Sequence, residues 1–254
     1  MISELLLLSG NDVPFPEARI SIHPPTIKEI GYIGEEAFFA GTELLNFSKD
    51  VLSTEDKTRL EDKSNFEIFM SIMNDKKIAT LQQSRINAML VMTLIFPIYQ
   101  IKVLPQGIIL IPIEKATEES EFYTIDATNF ESFKEILKEM FCLSKRNKDA
   151  PDYNPLGQRA KELAEKLKRG REKAAAAKGG QQKVAVFSRY VSILSVGERK
   201  NMNDLLQLTV YQLFDEFERF ELKEANDMYI KGKLAGAKDM KEVESWMKDI
   251  HSLV

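Results

Sequence analysis

Tyr99-Gln100-Ile101-Lys102-Val103-Leu104-Pro105-Gln106-Gly107-Ile108-Ile109-Leu110-Ile111 decides the fold class. Polar and apolar residues alternate over Tyr99–Val103, the period of a strand with one face in water. Pro105-Gln106-Gly107 is a turn signal, and Ile108–Ile111 is a second, wholly apolar run. The natural reading is a β-hairpin. Phe122-Tyr123-Thr124-Ile125 is a candidate third strand. Most of the remaining sequence has helical periodicity. The reading is therefore an α+β chain, mostly helical: a small antiparallel sheet with packed helices, followed by a C-terminal helical module.

Upstream of the hairpin, Arg19-Ile20-Ser21-Ile22-His23 alternates and predicts a short strand, ended by Pro24-Pro25. Thr26 and Glu29 have the spacing of a capping box, so a helix starts there. A second helix is predicted from Glu35 to about Phe47, with Phe38, Phe39, Leu44, Leu45 and Phe47 on its apolar face. Residues 48–64 read as a loop or a frayed helix. Ser64 and Glu67 repeat the capping spacing ahead of Phe66, Phe69, Met70 and Met73. A further helix runs from about Ile78 to Phe96 and stops at Pro97. Downstream, Thr128 and Glu131 again have capping-box spacing, before Phe133, Ile136, Leu137, Met140 and Phe141.

The composition changes at Lys145, which divides the chain into an N-terminal α+β module (1–144), a basic helical linker (145–182) and a C-terminal helical module (183–254). In the last, Phe187 to Val196 predicts a short helix. Asn203-Asp204 is taken as the start of a strong amphipathic helix carrying Leu206, Val210, Leu213, Phe217 and Phe220, with a continuation through Met228, Tyr229 and Ile230 that Gly232 and Gly236 weaken. Asp239 and Glu242 give one more capping spacing, before Val243, Trp246, Met247 and Ile250.

Composition excludes several classes. Of 254 residues, 44% are apolar and 29% charged, which is globular and not disordered. The net charge of -4 means that any nucleic-acid role must rest on a local patch. Cys142 stands alone, so no internal disulfide forms and a reducing compartment is expected. The run Met1 to Leu8 lacks the basic flank of a signal peptide. No stretch reaches the roughly 20 apolar residues of a membrane helix. The expected location is the cytoplasm, with no membrane contact.

Catalysis lacks its parts. His23 and His251 have no ligand-spaced partners. Cys142, next to Phe141, reads as a small packed residue. No glycine-rich phosphate loop is present. Asp215-Glu216 lies on the polar face of a helix, where carboxylates are solvated rather than paired for acid–base work. The chain reads as a non-enzymatic binding protein with no catalytic residue, no metal and no cofactor.

Two surfaces are candidates for binding. The basic patch of Arg159, Lys161, Lys166, Lys168, Arg169, Arg171 and Lys173 lies in a segment, 158–178, with eight basic and three acidic residues. It reads as a solvated helix with Glu162–Lys166 and Glu165–Arg169 pairs. It also reads as a contact for an acidic surface, including residues 203–227 of this chain, where seven residues are acidic and two basic. Nucleic acid is the third reading, weakened by the absence of interleaved aromatic residues. The other surface is aromatic: Phe214, Phe217, Phe220, Trp246 and Met247. These residues form either the module's own core or a face for a partner's amphipathic helix. Phe214, off the main stripe, is the first candidate for an exposed contact.

Several strings resemble a known family. Ile22-His23-Pro24-Pro25-Thr26-Ile27-Lys28-Glu29-Ile30 is similar to the opening of tail assembly chaperone-like proteins from phages of Gram-positive bacteria. Phe187–Val196, Leu208–Phe217, Lys233–Asp239 and Trp246–Asp249 resemble proteins of the same phages, in the same order, so the likeness covers about two thirds of the chain. The resemblance implies a phage protein of the host cytoplasm that acts in virion morphogenesis. Its partner would be the tape measure protein, a long helical chain kept soluble until the tail tube polymerises around it. A baseplate component as partner or role is the close alternative. A nucleic-acid-associated factor, a structural tail component and homo-oligomerisation also stay open.

Overall fold

The computed structural model describes residues 2–49, 62–74, 81–115, 122–143, 185–237, 243 and 245–247. The chain divides into two compact units, Met1–Ser144 with Asn201–Gln212, and Lys145–Lys200 with Leu213–Val254. The architecture is mostly helical α+β, with two small antiparallel sheets.

The first unit opens with α1 (Glu4–Ser9) and a two-stranded ribbon, β1 (Val13–Phe15) and β2 (Ile20–Ile22), in the register Val13↔Ile22 and Phe15↔Ile20. The strict alternation buries Val13, Phe15, Ile20 and Ile22 and leaves Pro14 and Ser21 in solvent. α2 (Ile27–Ile33) starts at a complete capping box: Thr26 Oγ accepts from Glu29 N, and Glu29 accepts from Thr26 N at 2.7 Å. α3 (Glu35–Leu45) follows. Ser64 and Glu67 repeat the reciprocal bonds at the start of α4 (Asn65–Asn74). α5 (Gln82–Ile95) lies so close to α3 that a Cβ on Gly41 would stand 2.4 Å from Asn87 O.

The hairpin read from sequence is present as β3 (Tyr99–Leu104) and β4 (Gly107–Pro112), with Leu104↔Gly107 closing a two-residue loop. β5 (Tyr123–Ile125) pairs with the other edge of β4, giving the order β3-β4-β5. α6 (Phe130–Met140) completes this run. Its start corrects the sequence reading. Thr128 and Glu131 form no capping box. Asp126 takes both the Thr128 N–H and hydroxyl, at 2.8 and 2.6 Å, and Asn129 is the residue at the helix start. Asp126 lies two residues ahead of Thr128, so its carboxylate takes the hydroxyl into a turn before the helix can. Glu131 is thereby free to bind Lys134 and Asn65.

The core of this unit is built of rings. Phe69 stacks on Phe130 at 5.0 Å, Phe96 and Phe15 each meet Phe133 at 6.1 Å, and Phe38 meets Phe141 edge-on at 5.0 Å. Lys134 is the surprise: its side chain is 2% exposed, with Nζ 2.9 Å from Glu131 and 5.8 Å from the Phe130 ring centre.

The predicted helix start at Asn203-Asp204 is a short separate helix, α8 (Met202–Leu206), capped by the Asn201 side chain. It turns Leu205 inward rather than Leu206. The long helix is α9 (Val210–Leu234), and its N-terminus is a capping box at Thr209 and Gln212. In the second unit, α7 (Val186–Gly197) buries Phe187, Val191 and Leu194. α9 ends at Gly236, whose left-handed backbone (φ 86) lets its own N–H reach Lys233 O and the Ala237 N–H reach Gly232 O.

Candidate partner-binding surfaces

The aromatic residues singled out in the sequence separate into two groups. Phe217 is buried and lies flat on Tyr190, ring centres 3.7 Å apart and planes 4° from parallel. Phe214 is half-buried, edge-on to Tyr190 at 5.4 Å and to Phe187 at 6.2 Å. Phe220 covers Gly197, where a Cβ would stand 2.5 Å from the Phe220 ring. These three rings are therefore engaged by α7. The reason is geometric: positions three and four apart on α9 line one stripe, and Phe214 is close enough to it for α7 to reach. Trp246 and Met247 form the other group. They are 43% and 73% exposed, and Arg219 Nη1 donates to Trp246 O at 3.3 Å.

Sequence reasoning carried the helix on through Met228, Tyr229 and Ile230, as the structure has it, but missed how exposed that far end is. From Glu218 to Leu234 the helix has no fully buried residue, and Met228, Ile230 and Leu234 are 62%, 49% and 83% exposed. This span is roughly 25 Å long at 1.5 Å per residue. The signal was present, since the three- and four-residue apolar spacing that runs from Val210 to Phe220 lapses at Glu224 and Asp227. The flank is acidic. Burial and the neighbouring Glu218 push the Glu221 carboxyl up, with Arg189 opposing. Asp215 and Glu216 do not act as a pair, because Asp215 faces Arg219 at 4.0 Å and Glu216 is bound by Lys200.

The first unit carries a shallow apolar groove of about 430 Å³ lined by Met73, Arg85, Ile86, Met89, Leu90, Thr93 and Val103. Arg85 Nη1 donates to Ile72 O at its edge. The groove's lining is apolar apart from Arg85 and Thr93, with two methionines, Met73 and Met89, whose flexible side chains fill irregular space.

His23 is held by two carboxylates, with Nδ1 2.9 Å from Asp12 and Nε2 3.5 Å from Glu29. Burial alone would raise the Glu29 carboxyl. The Thr26 bonds and His23 outweigh it and hold Glu29 below the usual range. Cys142 is buried at the end of α6. Among the described residues no His, Cys, Asp and Glu group could hold a metal ion, and no helix is long and apolar enough to cross a membrane. The basic patch from Arg159 to Lys173, the capping spacing at Asp239 and Glu242, and His251 lie outside the described residues.

Residues 179–251 match the model of the YomV second domain, a likeness to a phage-derived, YomV-like protein. The matched stretch takes in α7, α8 and α9. No curated protein and no solved structure matches the chain.

Proposed function

We propose that the chain is a non-enzymatic assembly chaperone for a helical phage tail protein, the tape measure being the first candidate. The observation that carries this reading is the outer half of α9: an ordered helix exposing Met228, Ile230 and Leu234, with Trp246 and Met247 also exposed. A factor that keeps an amphipathic helix soluble needs apolar side chains that its own core does not use, and it needs no reactive groups. The likeness to a phage-derived domain over 179–251 supports the biological setting.

The test is co-expression with the tape measure protein of the phage that carries this gene. The soluble tape measure fraction should rise several-fold with the wild-type chain. It should fall back with Met228→Ser, Ile230→Ser and Leu234→Ser combined. An unchanged soluble fraction in the presence of the wild-type chain sinks the reading. Recovery of nuclease-sensitive complexes instead would turn attention to Arg159–Lys173, where binding should weaken steeply with added salt.

A further inference from the structure

Gln212 stands at a junction that its sequence position does not announce. Its Oε1 accepts from Thr209 N at 2.8 Å, and its own N–H donates to Thr209 Oγ at 3.3 Å. This is the reciprocal arrangement that satisfies two free N–H groups at the start of α9. The other half of the same amide faces away. Nε2 donates to Leu8 O at 2.7 Å, across 204 residues of sequence. Leu8 is in the last turn of α1, where carbonyls have no helical partner. The neighbouring carbonyls are met locally, Leu6 O by Ser9 Oγ and Leu7 O by Gly10 N. Gln212 meets the third. One side chain therefore caps the beginning of α9 and the end of α1.

The segment leading to it is seated by backbone groups. Ile27 N donates to Leu208 O at 2.9 Å, and Thr26 and Thr209 form an antiparallel bridge. Leu205, Thr209, Val210 and Tyr211 are buried along the way. α1, by contrast, is only six residues long, too short to hold its shape alone. Its N-terminal side is tied by Ile2 N, which donates to Glu139 Oε2 at 2.9 Å, and Leu7 is buried, so the end that depends on Gln212 is the C-terminal one.

We propose that Gln212 makes the seating of α1 conditional on the first turn of α9. When that turn is wound, the amide is aimed by Thr209 and holds Leu8. When it unwinds, Gln212 loses its aim and α1, with its four leucines, is released. Gln212 is a positioning residue in this device, and α1 is the element that responds.

Chemistry supplies the discriminating variant. Gln212→Glu keeps the acceptor that Thr209 needs and replaces the donor facing Leu8 O by a second acceptor. In full-length protein at neutral pH, amide exchange of residues 4–10 should rise about tenfold, with residues 213–220 unchanged. Gln212→Ala should raise exchange in both. Lowering the pH below the usual glutamate value of about 4.3 protonates the new carboxyl and restores a donor. Measured against wild type at each pH, α1 should then regain protection in Gln212→Glu. Unchanged α1 exchange at neutral pH, a uniform rise along the chain, or no recovery on acidification would each overturn the proposal.

Discussion

The first unit closes its core with interlocking phenylalanine rings, and even Lys134 is drawn inside. The second packs an aromatic layer, Tyr190, Phe214, Phe217 and Phe220 on α7 and α9, and α9 then runs on with Met228, Ile230 and Leu234 exposed. The two kinds of packing have different consequences. Ring-on-ring burial from several directions fixes a unit against volume changes. A layer on one stripe of one helix tolerates them and leaves apolar side chains exposed.

The largest break in that contrast should come from the rings themselves. Phe133→Ala should cost about 3–5 kcal/mol in urea unfolding followed by circular dichroism, because Phe133 meets Phe15, Phe96 and Phe130 from three directions. Phe217→Ala should fall at or below the lower end of that range. Equal losses would erase the distinction.

Glycines sharpen the comparison at a smaller scale. Gly41→Ala pushes a methyl group against the Asn87 backbone carbonyl, which cannot yield without moving α5, so a loss of about 1–3 kcal/mol is expected. Gly197→Ala meets only the rim of the Phe220 ring, which can tilt. Gly197 is the last residue of α7, so the gain in helix propensity is only a fraction of the interior value of about 1 kcal/mol, and a net loss smaller than that of Gly41→Ala is expected.

The buried lysine adds a pH signature to the first unit. Burial would raise the Glu131 carboxyl, but bonds from Lys134 and Asn65 overcome this and hold it lowered. A lowered folded value means the stabilisation is present above the unfolded glutamate value and is lost as pH falls through the folded one. Glu131 is 60% exposed, so the effect should be about 1 kcal/mol or less. Glu131→Gln should flatten the acid limb of the stability profile. An identical acid limb would remove Lys134 from the account.

The smallest stability effects belong to the outer half of α9. Met228→Ser and Leu234→Ser should change unfolding by no more than about 0.5 kcal/mol. A larger loss would mean that these side chains serve the protein's own fold rather than a partner.

What the sequence made legible was local. The boxes at Thr26–Glu29 and Ser64–Glu67 need only a hydroxyl, a carboxylate and three residues between them, and both formed. The hairpin was legible because alternation and turn residues agreed. The same rule failed at Thr128, where Asp126 competes for the same hydroxyl. It was never applied at Thr209, whose partner is Gln212 rather than an acid. Lys134 was invisible because a lysine counts as polar in any helical pattern, and nothing local says that Glu131 and a ring will enclose it. Of the aromatic candidates, spacing found the stripe but not which rings α7 would take.

The double cap at Gln212 also limits how such genes can be shuffled. A recombination event at residue 179 would transplant the matched region together with Asn201–Gln212. The hybrid would inherit a staple cut to fit another protein's α1 carbonyls and another protein's Thr26. Only donors offering acceptors at the same places would yield a sound first unit.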